Sequence, residues 1–335
     1  MSVRKTQGFV PVAAALLGNA ILAIIKFTAA LASGSSAMLS EAIHSFADTL
    51  NQLLLFIGLS RSLKKRSSTF EYGYGNERFF WALISACGVF FLGSGITLYT
   101  GVLAFLHERS IEFSWLVFVV LLISLCLESY TLYTALRELK KNFPDESWKS
   151  RIALADTSTL AVLLEDAVAV LGVVIAFLSI TVSYATGNTA WDAGGSIFIG
   201  LLLAGVALVL IVRNRTHLLG KAMPEELREE VIAFVESDPA IEKVIDFKSS
   251  SIGLNTYRIK CEVEFNGSAL VRTANRQTSM RETFEEIGDD LEEFKKFSVE
   301  YADRIPRLMG KKIDEIERGI RTKFPFVRHI DIEIN

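Results

Sequence analysis

The stretch "SEAIHSFADTLNQ", residues 40–52, interrupts an otherwise apolar run with four polar side chains: Glu41, His44, Asp48 and Asn51. Their spacing of three, four and three residues places all four on one face of a helix. An ionisable side chain inside a membrane helix is costly and generally marks a functional site. A polar face that lines a packed helical bundle would show the same pattern, and this alternative stays open here.

The composition is that of a membrane protein with an additional water-soluble part. Half of the 335 residues are hydrophobic, and the mean hydropathy is +0.35. A helix needs about 20 apolar residues to cross a bilayer. Six segments meet that length: 10–32, 38–60, 78–106, 114–137, 157–182 and 192–213. The sequence therefore predicts an α-helical membrane protein with six transmembrane helices in residues 1–220.

Basic residues orient these six predicted spans. They flank the bundle on one side: Arg4, Lys5, Arg61, Lys64, Lys65, Arg66, Arg137, Lys140, Lys141, Lys149, Arg151, Arg213 and Arg215. The loops on the opposite side contain a single basic residue, Arg109. Because cytoplasmic loops are enriched in Lys and Arg, both termini are predicted to be cytoplasmic. For a bacterial protein this corresponds to a multi-pass protein of the plasma (inner) membrane.

Residues 221–335 form a mildly acidic, water-soluble part of the chain. Alternating and helical hydrophobic periods predict the order αββαβ, a cytoplasmic α+β domain of the ferredoxin-like kind. An acidic, helix-favouring segment at 268–309 is either an insertion or an extended helical arm. The domain lacks the basic stripe that phosphate groups require, so nucleic acid is not an expected partner.

The polar residues of spans two and five suggest a divalent-metal site. His44 and Asp48 are one helical turn apart, and imidazole and carboxylate both bind Zn²⁺. Glu165 and Asp166 provide a second acidic pair in span five. A site rich in carboxylates can exchange its ion for protons, as a transporter requires. Lys26, in span one, is interpreted as a structural charge partner of the carboxylates.

Three stretches resemble the cation diffusion facilitator family, most closely its zinc-transporter-nine branch. They are "SSAMLSEAIHSFADTLNQLLLFIGLSRS" (35–62), "YGYGNERFFWALISACGVFFLGSG" (72–95) and "VLLEDAVAVLGVV" (162–174). The resemblance implies a homodimer in a lipid bilayer, with a cytoplasmic dimerisation domain. It also implies one transport site per protomer, built from spans two and five, and alternating access driven by protons moving in the opposite direction.

By this resemblance His44, Asp48 and Asp166 match the metal ligands of the family. The fourth family ligand falls on Val162, which cannot bind a metal ion. Either Glu165, Asn51 or water completes the shell, or the site has three protein ligands. Replacing an imidazole by oxygen shifts the preference toward Mn²⁺ or Fe²⁺.

The sequence thus predicts a transporter that exports a divalent cation from the cytoplasm. Zn²⁺ ranks first on resemblance, with Mn²⁺ or Fe²⁺ next, protons as counter-ions and no bound cofactor. An intramembrane metalloenzyme is disfavoured because no HExxH motif is present. A membrane metal sensor or scaffold that does not transport remains the alternative.

Overall fold

The computed structural model describes residues 9–107, 114–144, 146–154, 157–274 and 280–335. The chain divides into two compact units. The first contains residues 1–63 and 77–218, and the second contains residues 64–76 and 219–335. Each unit has its own hydrophobic core.

The first unit is entirely helical in its described residues. Its elements are α1 Phe9–Ser33, α2 Ser36–Ser62, α3 Glu77–Gly88, a π-helix Val89–Ser94, α4 Gly95–Leu106, α5 Trp115–Asn142, α6 Trp148–Leu154, α7 Thr157–Thr186 and α8 Ala190–Leu218. The third span is the continuous run from α3 through the π-helix to α4. Across the described ranges, six spans are long and apolar enough to cross a membrane, which confirms the predicted six-helix architecture.

Small residues bring these helices close together. A Cβ atom at Gly101 of α4 would lie 2.8 Å from the Ser196 hydroxyl of α8, and one at Gly200 would lie 2.8 Å from Leu98. Close backbone approach is a common basis for helix association in lipid, where burial of apolar surface gives little driving force. Helix α2 packs against α1, α3, α7 and α8. Its polar face is therefore held inside the bundle.

The second unit is a sheet covered by helices. Its elements are α9 Glu225–Glu236, β1 Ile241–Gly253, β2 Thr256–Phe265, α10 Gly267–Ala274, α11 Met280–Ile287, α12 Leu291–Lys323 and β3 Val327–Ile334. The sheet order is β1-β2-β3, with β1 and β2 antiparallel and β2 and β3 parallel. The parallel pair requires a crossover, which α12 provides. This arrangement confirms the predicted α+β fold of the tail.

The segment 268–309 overlaps the last long helix of the chain. Helix α12 starts at Leu291 and continues through Pro306 to Lys323, so part of this segment is the first half of the crossover helix. The C-terminal half of α12 buries Ile316 and Ile320 in the core beneath the sheet. In its described residues the segment 268–309 thus contains most of α10, all of α11 and the first part of α12, and residues 275–279 lie outside the described part of the chain.

The loop 64–76 belongs to the second unit, although it lies within the predicted membrane range 1–220. The Tyr72 ring packs edge-on against His329 of β3, with ring centroids 4.8 Å apart. The guanidinium carbon of Arg258 lies 4.6 Å from the Tyr72 ring centroid. Partial burial and the nearby arginines, which include Arg66 and Arg258, lower the pKa of His329. Aromatic and cation–π contacts thus attach this loop to the sheet.

Candidate metal site

The polar face of α2 is buried inside the membrane unit. Glu41, His44 and Asn51 are inaccessible or nearly so, and the exposed fraction of the His44 side chain is 3%. The exposed fraction of the Asp48 side chain is 27%. The face is therefore directed into the bundle, and Asp48 is its most accessible carboxylate.

His44 and Asp48 lie side by side, as their spacing of one helical turn predicts, and together they could supply half of a metal site. The His44 Nε2 atom lies 3.5 Å from Asp48 Oδ2. Neither ring nitrogen of His44 has a hydrogen-bond partner within the described chain. Buried polar atoms are nearly always paired, so unpaired nitrogens here fit a site that receives an ion. Neutral imidazole and ionised carboxylate are the forms that bind metal.

Asn51 connects this face to α7 and α3. Its side-chain nitrogen donates a 2.8 Å hydrogen bond to Glu165 Oε2. Its side-chain oxygen accepts a 2.5 Å hydrogen bond from the Ser85 hydroxyl. Asn51 therefore positions Glu165. These are the two protein groups considered above for completing the metal shell.

The acidic groups of α2 and α7 are neighbours but do not form a complete metal shell. Asp48 is close enough to Glu165 and Asp166 for their charges to repel one another. Across the described residues, no three His, Cys, Asp or Glu side chains are grouped closely enough to hold a metal ion. The structure thus brings His44 and Asp48 together and places the α7 pair nearby without ligand contact.

Lys26 of α1 belongs to an ion-pair triad that is separate from the His44–Asp48 pair. Its Nζ atom is 3.0 Å from Glu41 Oε2 and 2.8 Å from Glu128 Oε1. The interpretation of Lys26 as a charge partner of carboxylates is confirmed. That both partners would be Glu41 and Glu128 was not predicted. The sequence did contain a signal for this triad: spans one, two and four each carry a charged residue, and a charge inside a membrane needs a partner.

Asp192, in the first turn of α8, holds the start of α2 in place. Its carboxylate accepts hydrogen bonds from the Ser35 hydroxyl at 2.6 Å and from both the backbone nitrogen and hydroxyl of Ser36, at 2.6 and 2.7 Å. A carboxylate at a helix N-terminus also interacts favourably with the helix dipole. Asp192 therefore sets the position of the helix that contains the half-site.

These features define a six-span membrane protein with a buried His–carboxylate half-site and an α+β tail. A family model for the cation efflux transmembrane domain matches residues 12–219. The chain belongs to the cation efflux family, which consists of transporters rather than enzymes. Both the predicted family and the prediction that the protein is not an enzyme are confirmed.

The chain also resembles several individual proteins. It is 35% identical over 321 residues to the human mitochondrial proton-coupled zinc antiporter SLC30A9, covering 94% of this chain and 56% of the relative. It is 35% identical over 331 residues to Metal tolerance protein C4 of Arabidopsis thaliana, covering 96% and 72%. The cation-efflux pump FieF of Shewanella oneidensis is 25% identical over 261 residues, covering 77% and 82%. The chain spans just over half the length of the human relative.

Proposed function

We propose that the protein is a divalent cation–proton antiporter that exports its ion from the cytoplasm. Zn²⁺ is the first candidate, and Mn²⁺ or Fe²⁺ comes next. The observation that carries this proposal is the pairing of buried His44 with partly exposed Asp48, near Glu165 and Asp166 of α7. The names of two relatives, a proton-coupled zinc antiporter and a metal tolerance protein, support it.

The charges of the site suit an exchange of metal for protons. The carboxylates of Asp48, Glu165 and Asp166 repel one another when ionised, and a divalent cation between α2 and α7 would reduce that repulsion. The metal-binding forms are neutral imidazole and ionised carboxylate, so protons and metal compete for the same atoms. We infer that the shell closes around the ion as α7 approaches α2, with Asp166 completing the contacts of His44 and Asp48.

The basic loops support a topology with both termini in the cytoplasm. The same orientation would place the α+β tail in the cytoplasm, where we propose that it joins two copies into a homodimer. For a bacterial protein the membrane would be the inner membrane. Export then means movement of the ion away from the side that carries the tail.

Reconstitution into liposomes tests exchange directly. We expect Zn²⁺ entry to be accompanied by proton exit, and to slow when the metal-loading side is acidified, because protonation removes the ligand atoms. The measurement uses a zinc-sensitive and a pH-sensitive dye inside the same vesicles. His44→Ala provides the blank for passive leak.

Two outcomes would contradict antiport. Zinc entry with no pH change in proton-tight vesicles would mean uncoupled transport. No zinc entry, together with zinc binding in detergent that depends on His44, would favour a membrane metal sensor or scaffold over a transporter.

The side chain at position 162 is predicted to set the metal preference. Val162 precedes Asp166 by one helical turn on α7, and 46% of it is exposed. Val162→His should add an imidazole beside the α7 carboxylate and shift competition toward Zn²⁺ over Mn²⁺, by about tenfold, since Zn²⁺ accepts nitrogen ligands more readily than Mn²⁺. Zinc uptake measured against increasing Mn²⁺ gives the ratio.

Leu171→His is the matched control, because Leu171 is 50% exposed, much like Val162, and is rotated by about 140° from Asp166 on the same helix. It should leave the Zn²⁺/Mn²⁺ ratio unchanged. Glu165→Gln, measured in the same assay, shows whether the carboxylate positioned by Asn51 contributes to binding. An unchanged ratio in Val162→His would show that the α7 half of the site lies elsewhere.

A further inference from the structure

Lys26 carries a cation that is completely enclosed by protein. Neither its side chain nor that of Glu41 is exposed, and 14% of the Glu128 side chain is. The three residues come from α1, α2 and α5, so the ammonium group joins three spans. A side chain buried to this extent stays charged only when well-placed partners of opposite charge offset the cost of removing it from water.

The two carboxylates have unused binding capacity. Glu41 Oε1 and Glu128 Oε2 are buried and have no hydrogen-bond partner within the described chain. Glu41 Oε1 lies against the backbone of α7, where a Cβ atom on Gly172 would be 2.4 Å away. His44, whose ring nitrogens are also unpaired, follows Glu41 by one helical turn. The triad therefore adjoins the His44–Asp48 half-site along the same face of α2.

The position of the ammonium group is suited to a metal ion. Zn²⁺ binds carboxylate oxygens at about 2.0–2.2 Å. An ion placed at the Lys26 Nζ position would require Glu41 Oε2, now at 3.0 Å, and Glu128 Oε1, now at 2.8 Å, to move by only about 1 Å. Long Glu side chains can make such a movement without displacing the helices.

We propose that Lys26 occupies a second cation site, formed by Glu41 and Glu128, and thereby confines the transported ion to the His44–Asp48 half-site. The lysine acts as a tethered cation that cannot leave. Without it, a divalent ion entering the bundle would meet two adjacent acidic sites and would be released slowly from the pair. Lys26 is thus a specificity-determining residue that limits each chain to one exchangeable metal ion. Its role in transport rests on the proposed function, but its effect on binding can be measured independently.

Metal binding to the purified full-length protein tests this assignment. Wild-type protein is expected to bind one Zn²⁺ per chain, and Lys26→Met to bind two, in equilibrium dialysis with radioactive zinc. A purely structural lysine would give the opposite result, a loss of binding. Lys26→Arg keeps a tethered cation and should bind one ion, whereas Lys26→Met combined with Glu128→Gln should lose the added ion.

The Asp166→Ala background separates the two sites. In that background the ion at the His44–Asp48 site should no longer bind, while the additional ion gained by Lys26→Met should still bind. If wild-type protein binds no Zn²⁺ that depends on Asp166, the proposed transport site is wrong. The additional Zn²⁺ bound by Lys26→Met would still test the assignment of Lys26. Folding is checked by gel filtration and circular dichroism.

A Lys26→Met protein that folds only when Zn²⁺ is present would support the assignment, because the metal then replaces the ammonium group. Lys26→Gln provides a second variant of similar length without charge. The proposal is overturned if both neutral variants are folded and bind no additional ion. It is equally overturned if both remain unfolded with Zn²⁺ present, since a cation suited to the position would restore the triad.

Discussion

Replacing His44, Asp48 or Asp166 by alanine is expected to lower the rate of metal transport by at least about a hundredfold. Each change removes one of few ligands from a buried site, and loss even of a group that only supports a ligand commonly costs 10–100-fold. The His44–Asp48 pair is already formed, so loss of either member dismantles the half-site. Initial rates of zinc uptake into liposomes, at equal protein density, give the ratio.

Thr49→Ala is the matched control for this series. Thr49 follows Asp48 on α2, but its hydroxyl donates to the Ser45 carbonyl of its own helix. We expect nearly wild-type transport from this variant, and normal gel filtration from all four. Wild-type rates in any two of the three alanine variants would show that the ion crosses by another route.

Asp192→Ala is expected to cause a large loss of stability in the membrane unit. It leaves the Ser35 and Ser36 donors buried without their acceptor. Hydrogen bonds to a charged group contribute about 1.5–3 kcal/mol each, and the unpaired donors add a desolvation cost. We expect a loss of about 3 kcal/mol or more, which lowers the Tm in detergent by on the order of 10 °C.

Two variants calibrate this effect. Asp192→Asn retains an acceptor oxygen and should lose less than the alanine variant. Asn188→Ala removes a cap at the start of the same helix, where Asn188 accepts a hydrogen bond from the Ala190 nitrogen at the surface. It should cost only about 1 kcal/mol. A Tm for Asp192→Ala equal to that of Asn188→Ala would contradict a structural role at the start of α2.

The spans and the tail fold could be predicted because each depends on a local pattern. Continuous apolar length identifies a membrane helix, and strict alternation identifies strands such as β1 and β2. The extent of α12 was harder to predict, because Pro306 and the polar composition of its first half obscure a helix that begins at Leu291. Local propensity cannot show that such a helix continues when half of its length is stabilised by packing on a sheet.

The candidate site was predictable only in part, for a related reason. The pairing of His44 with Asp48 follows from one helix and its period. The links from Asn51 to Glu165 and from Lys26 to Glu128 join helices far apart in sequence. Helical period fixes which residues share a face, but not which faces meet. Likewise, the sequence gives no local signal that the loop 64–76 packs with the tail sheet, which the contacts of Tyr72 show.

Locating a bound zinc ion would show whether His44, Asp48 and Asp166 form the transport site. Anomalous diffraction at the zinc absorption edge, from crystals of the full-length protein soaked in Zn²⁺, reports its position. We expect one strong peak per chain within the membrane unit, about 2.0–2.2 Å from a His44 ring nitrogen and an Asp48 oxygen, with Asp166 as the third ligand. Zinc peaks confined to the tail, or a membrane peak out of reach of His44 and Asp48, would contradict it.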